Sequence, residues 1–289
     1  MRASLPNLSY RSYVDGINAG ALRYSSWRKA PTQASTQGIW FDLSMMPGNP
    51  LPNYYANTPL VATSLGKDDG IPNGGTLTPY TKRVKSLSAI CNTATPLPMP
   101  MILLDYLLFY PFIDMSTNDT QTMTQTASLS RYTTGEGVKV MAVMTNPKAS
   151  SGSTFNFSYT NSAGIAGRTS QTVTVGGATV FGSLINCSTA TAGASQHFIG
   201  LQGTDTGVRS IESFTMVTGT DVGLIALVLV KPIAEITIRE VTAPVEVDFL
   251  TNMPSLPAVH DNACLNFICC PNGSLSGVTM IGDVTYTWS

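Results

Sequence analysis

The sequence predicts an all-β fold: an antiparallel β-sandwich or jelly roll with an extended N-terminal arm and little helix. Three observations carry this. From residue 137 onward the apolar pattern has a period of two, as when Phe155, Phe157 and Tyr159 alternate with Thr154, Asn156 and Ser158. The alternating runs recur every ten to fifteen residues, separated by Gly, Asn and Pro. Finally, residues 141–200 contain no Asp or Glu, and Lys148 and Arg168 are their only permanent charges. The rest of that block is rich in Ser, Thr, Asn, Gly and β-branched apolar residues, a composition that suits strands and turns.

Taken in chain order, residues 1–60 read as an extended arm. Pro6, Pro31, Pro47, Pro50, Pro52 and Pro59 disfavour helices and central strands there. Scattered aromatics (Tyr10, Tyr13, Tyr24, Trp27, Trp40, Phe41, Tyr54 and Tyr55) disfavour disorder. A strap lying along a surface reconciles the two. Residues 61–130 read as a loop-rich linking region, with turn signals at Asp69-Gly70 and Asn73-Gly74-Gly75. Within it, residues 97–113 form an apolar run that suits either two helical turns or a buried strand. Ser116-Thr117-Asn118-Asp119 offers an N-cap for a short helix near 118–128.

Residues 131–289 read as the sandwich proper. Strands are expected at Val138–Met144, Phe155–Tyr159, Thr169–Val175, Ala178–Cys187, Val208–Val217, Val222–Val230, Glu235–Val241, Val245–Leu250, Cys264–Cys270 and Val278–Trp288. Gly176-Gly177 and a Ser/Thr/Ala/Gly stretch at 188–195 read as loops. Leu224–Val230 is almost wholly apolar, which is the pattern of a strand covered on both faces.

Charge narrows the choice of function. Asp, Glu, Lys and Arg make up 11% of the chain and the net charge is −1, against about a quarter charged in ordinary soluble domains. A surface made of hydroxyls and amides suits burial against neighbouring subunits. Nucleic-acid binding is not expected, since it needs clustered Lys and Arg. The densest basic run is Lys82, Arg83 and Lys85, read as a solvated loop. Residues 1–30 lack a secretory signal pattern, and the 97–113 run, broken by Pro98, Pro100, Asp105 and Pro111, is too interrupted to span a membrane. Assembly in the cytoplasm, with no membrane partner, is the expectation.

Catalysis finds little footing. Only His197 and His260 are present, and no Gly-x-Ser-x-Gly elbow accompanies them. The five cysteines (Cys91, Cys187, Cys264, Cys269 and Cys270) include no Cys-x-x-Cys pair and read as buried free thiols rather than metal ligands. No phosphate-binding or calcium loop is recognisable, so no cofactor and no metal are expected. Among the carboxylates, Asp105 is set apart by its apolar surroundings; it reads as a turn cap or as the partner of an arginine, Arg131 and Arg168 being equally suitable.

Three strings resemble stretches of tailed-bacteriophage virion proteins: Leu104-Asp105-Tyr106-Leu107-Leu108-Phe109-Tyr110-Pro111-Phe112-Ile113-Asp114, Ser130-Arg131-Tyr132-Thr133-Thr134-Gly135-Glu136-Gly137-Val138, and Ser158-Tyr159-Thr160-Asn161-Ser162-Ala163-Gly164-Ile165-Ala166-Gly167-Arg168-Thr169. The resemblance covers roughly residues 100–175. It implies a non-enzymatic structural component of a phage particle, of the capsid decoration or cement kind. Its expected partners are the major capsid protein and neighbouring copies of itself, in a homo-oligomer that could be a trimer. Interfaces favour Tyr, Trp, Phe, Met and Arg, so Tyr10, Tyr13, Tyr24, Trp27, Arg28, Trp40, Met45 and Met46 of the arm are the expected adhesive residues. A tail or fibre component binding host-surface glycans is the alternative; it would carry a solvent-facing aromatic patch.

Overall fold

The computed structural model describes residues 14, 15, 17, 18, 20–147, 152–175, 180–185, 196–252 and 256–288. The strands are β1 (Leu22–Lys29), β2 (Phe41–Asp42), β3 (Gly48–Asn49), β4 (Thr63–Ser64), β5 (Lys82–Cys91), β6 (Met99–Asp114), β7 (Gln121–Thr122), β8 (Lys139–Asn146), β9 (Thr154–Asn161), β10 (Arg168–Thr169), β11 (Val173–Thr174), β12 (Val208–Thr218), β13 (Leu224–Ile238), β14 (Val245–Asp248), β15 (Leu265–Cys269) and β16 (Met280–Trp288). They build three antiparallel sheets, so the fold is all-β. The first sheet has the order β14-β5-β16-β1-β3; the second, β2-β15-β6-β13-β8 with β4 on β6; the third, β10-β9-β12-β7 with β11 on β9.

The second sheet stands between the other two, and the period of two shows it directly. In β8, Met141 and Val143 join the apolar cluster shared with the first sheet, while Val140, Ala142 and Met144 join the cluster shared with the third. In β13, Ala226, Val228 and Val230 go one way and Ile225, Leu227 and Leu229 the other. A strand with a core on each face needs apolar residues at every position, which is what Leu224–Val230 carries. The edges of this sheet are also covered. Residues 182–185 pair with β8 on one side, through Ile185 N–H to Ala142 O (2.9 Å), and with residues 40–42 on the other, through Leu184 N–H to Trp40 O (2.8 Å) and Asp42 N–H to Gly182 O (2.8 Å). The two edges are thereby bridged by one short segment, leaving little open strand there for unwanted pairing.

Residues 97–113 resolve as strand: β6 spans Met99–Asp114 and is the middle of the second sheet. Pro111 fits because the ladder is irregular there. Pro111 and Phe112 stand opposite the single residue Ala226, a β-bulge, with Phe112 at φ +54°. In β13, Ile233 is the extra residue after Pro232, and β8 stops pairing at Val230, so Pro232 forfeits no ladder bond on that side. The separate strands expected at 222–230 and 235–241 are therefore one continuous strand, bulged at the proline.

Several other expectations need correction. No helix forms near 118–128; Gln121–Thr122 is strand β7, pairing with Ser213 and Phe214 of β12. The stretch read as an N-cap closes turns instead, Thr117 accepting the Asp119 N–H (3.1 Å) and the preceding Asp114 the Ser116 N–H (2.8 Å). Thr169–Val175 is split into β10 and β11, where Ser170 N–H turns to Phe157 O and Gln171 N–H to Gly200 O (both 2.9 Å). The loops expected at Gly176-Gly177 and 188–195 lie outside the described residues.

The division into an arm (1–60), a linking region (61–130) and a sandwich (131–289) does not hold over the described residues. β1 pairs along its whole length with β16, eight residues from Leu22↔Thr287 to Lys29↔Met280, so the two ends of the chain share one sheet. β5, from the expected linker, flanks β16 on its other side. Lys82, expected in a solvated loop, opens β5 with its side chain fully buried. Its ammonium donates to Asn73 Oδ1 (3.0 Å) and pairs with Asp261 (2.9 Å), which satisfies a charge that burial otherwise penalises.

Candidate interaction face

The outer face of the first sheet is where the structure gathers exposed groups suited to a partner. Successive β residues point to opposite sides, and the register sorts them. Ser25, Trp27 and Lys29 of β1 align with Val284, Gly282 and Met280 of β16 and with Leu87, Ala89 and Cys91 of β5, facing the core. The outward rows are Tyr24–Thr285–Ser86, Ser26–Asp283–Ser88 and Arg28–Ile281–Ile90, of which Thr285 and Ser86 are nonetheless buried. Asp248 and Glu246 of β14 extend the first two rows.

Hydroxyls and one carboxylate hold the middle row together. Ser26 Oγ donates to Asp283 Oδ1 (2.6 Å), and the Asp283 N–H donates to Ser88 Oγ (3.0 Å). At the β5 edge Lys85 pairs with Asp248 (2.6 Å); Asp248 sits below the usual carboxylate range because Lys85 and the Leu250 N–H outweigh its desolvation. Around this polar centre stand the exposed Tyr24 (70%), Arg28 and Ile281 (46%). A groove of about 440 Å³ runs between Arg28, Asn49, Ile90, Pro244, Ile281 and Asp283. Its floor is Gly282, where a Cβ would lie 1.9 Å from Ser88 O and 2.9 Å from the Trp27 ring, so any larger residue would force the strands apart.

The residues expected to be adhesive divide sharply. Tyr24 and Arg28 lie on this face and are exposed. Trp27, between them, points the other way and is buried against Phe267. Trp40 packs on His197, ring centroids 4.9 Å apart, and Met45 and Met46 are buried in the core. These four are core residues of their own chain, so their expected role as contacts is withdrawn: a side chain already packed inside has no surface to offer. Tyr10 and Tyr13 lie outside the described residues. Reading residue types missed Asp283, Ser88 and Ile281. The signal was available only as strand period, once β1, β5 and β16 are known to be neighbours.

The other singled-out groups are structural. Asp105 takes a forked pair from Arg131, Nε to Oδ2 at 2.8 Å and Nη2 to Oδ1 at 2.6 Å, plus the Cys264 N–H (3.0 Å). Burial pushes its carboxyl up, and the guanidinium opposes that. Arg168 instead pairs with Asp205 (2.9 Å). His260 meets Tyr132 edge-on, centroids 4.6 Å apart. Cys91, Cys264 and Cys269 are buried free thiols, each pushed up by desolvation. Among the described residues, no group of three or more His, Cys, Asp or Glu side chains could hold a metal ion, and no helix is long and apolar enough to cross a membrane.

Comparison with known proteins adds no relative: no family profile matches the chain, and no curated protein matches it.

Proposed function

We propose that this chain is a virion structural protein of the phage capsid decoration type, acting through surface contact and not through catalysis. The observation that carries the reading is the outer face of the first sheet, in which Tyr24 is 70% exposed on the same face as Arg28 and the hydroxyls of Ser26 and Ser88. Such a face suits a permanent contact. Hydroxyls exchange water for protein partners at far lower desolvation cost than charges do. Tyrosine and arginine are the residue types that most often dominate interface energetics. The low charge of the whole chain and the resemblance of residues 104–114, 130–138 and 158–169 to phage virion proteins point the same way. The major capsid protein is the partner of this face, with neighbouring copies of the chain beside it in the assembled particle.

The test is co-sedimentation of the purified protein with undecorated phage heads, followed by heat challenge of the particles. Stoichiometric binding and raised heat resistance are expected. Tyr24→Ala combined with Arg28→Ala is expected to weaken head binding at least tenfold while leaving the fold intact, because both side chains are exposed. Native protein that fails to sediment with heads overturns the proposal, as does full binding by the double variant.

A further inference from the structure

We propose that the cleft between residues 49–56 and 67–76 is a binding site for a neutral or amino saccharide. The inference stands apart from the particle-binding reading; Asn49 lines both clefts, and the side chains argued from here are others. The two loops, with Asp261, border an open cleft of about 750 Å³, within the size range of small-molecule sites.

The two walls differ in chemistry. One is apolar and stiff, made by Pro50, Leu51, Pro52 and Tyr54. Tyr54 is half exposed, and its ring rests on Phe181, centroids 5.7 Å apart at 47°. The plate is thus held in place before any ligand arrives. The opposite wall carries Asp68, Asp69, Asn73 and Asp261. It is braced from behind: Asp69 Oδ2 accepts the Gly66 N–H (2.9 Å), Asn73 Nδ2 donates to Asp261 O (3.1 Å) and Ala263 O (3.2 Å), and the buried Lys82 ammonium links Asn73 to Asp261.

A pyranose matches this arrangement. One of its faces is a plate of C–H groups, which packs on an aromatic ring. Its rim is a ring of hydroxyls, each needing an acceptor, and a carboxylate offers about four lone-pair sites. Both walls are pre-formed, so little ordering cost attends binding. Charge selects among sugars. Asp68, Asp69 and Asp261 face Lys67 and the already paired Lys82, an acidic balance that disfavours sialylated or phosphorylated ligands and tolerates an amine.

The experiment is saturation-transfer NMR on the full chain with maltotriose, chitotriose and galactobiose, with 3′-sialyllactose as the anionic comparison. At least one neutral sugar is expected to bind at about 10 mM or below, and Tyr54→Ala and Asp68→Ala are each expected to weaken it tenfold or more. Both side chains are exposed, so the variants should fold as the native chain does. Head binding by these two variants is expected to be native, which separates failure here from failure of the particle-binding proposal. The inference is overturned by no response from any neutral sugar, by equal binding in both variants, by preference for the sialylated sugar, or by binding of a tetralysine peptide in place of sugars.

Discussion

Trp27 and Phe267 meet with ring centroids 4.7 Å apart at 42°, one from the N-terminal strand of the first sheet and the other from β15 of the second. This contact fastens the two sheets together at the level of Gly282, whose missing side chain makes room for the indole. Trp27→Ala is therefore expected to cost about 3–5 kcal/mol, the range for emptying a large aromatic site in a core. Arg28→Ala, one residue on but outward-facing, is expected to stay within about 0.5 kcal/mol. Urea unfolding of both variants checks the pair. Equal stability of the two would mean that β1 does not face as described.

Asp105 and Arg131 are both buried, and Arg131 also donates to Leu65 O (2.9 Å) and Tyr106 O (2.6 Å). Removing one partner leaves an uncompensated buried charge, so Arg131→Met alone is expected to cost about 3–5 kcal/mol. Asp105→Leu combined with Arg131→Met is expected to cost clearly less than the sum of the two single changes. A double-mutant cycle by chemical denaturation measures the coupling.

Lys29 gives the fold an alkaline signature. Its ammonium donates to Met46 O (3.1 Å) and Pro50 O (2.9 Å), yet burial lowers its pKa from 10.5 to about 8, with Asp42 partly opposing the shift. The unfolded chain then holds more protons than the folded one between about pH 8 and 10.5, so this group's contribution to stability rises with pH across that window. Buried thiols pushed up by desolvation act the other way in the same range, so the reading is a difference: measured from pH 7.5 to 10, the denaturation midpoint of the native chain should gain on that of Lys29→Met as pH rises.

Asp205 acts in the opposite range. Arg168 first, then Tyr159 and Asn161, hold its carboxyl at about 2, below the ordinary 3.8. A depressed carboxylate favours the fold above the ordinary value, and that contribution is lost as pH falls from about 4 through about 2. Asp205→Asn should weaken the acid dependence of unfolding in that window and leave the slope above pH 6 unchanged. An acid titration followed by tyrosine fluorescence reads it.

How much of this was legible beforehand depends on the residue. The all-β class, the strands of β9, β12 and β16, and the double-sided burial of Leu224–Val230 follow from a period of two and from apolar runs, which are local properties. Asp105 was marked by its apolar neighbours alone. Its partner was not, because only the folded path of the chain brings Arg131, which lies in a bend, to Asp105 and leaves Arg168 to Asp205. The face of β1 was also hidden. Leu22–Lys29 places an aromatic and a cation on each side, Tyr24 with Arg28 outward and Trp27 with Lys29 inward, so no apolar stripe distinguishes in from out. What turns Lys29 inward is a pair of carbonyls near residues 46–50, and what turns Trp27 inward is Phe267, far away along the chain.

By itself the amino-acid sequence determined the strand-forming class, the places of most turns, and the low charge that makes the surface one of hydroxyls and amides. Those depend on backbone preference and composition within a few residues. The tertiary structure alone decided that the expected arm is an inner strand, that Lys82 is buried, and that Tyr24 and Arg28 share a face with Ile281 while Trp27 does not. Each of these turns on pairing between segments more than two hundred residues apart or on one buried partner, and a strand's side chains exchange faces with a single step of register.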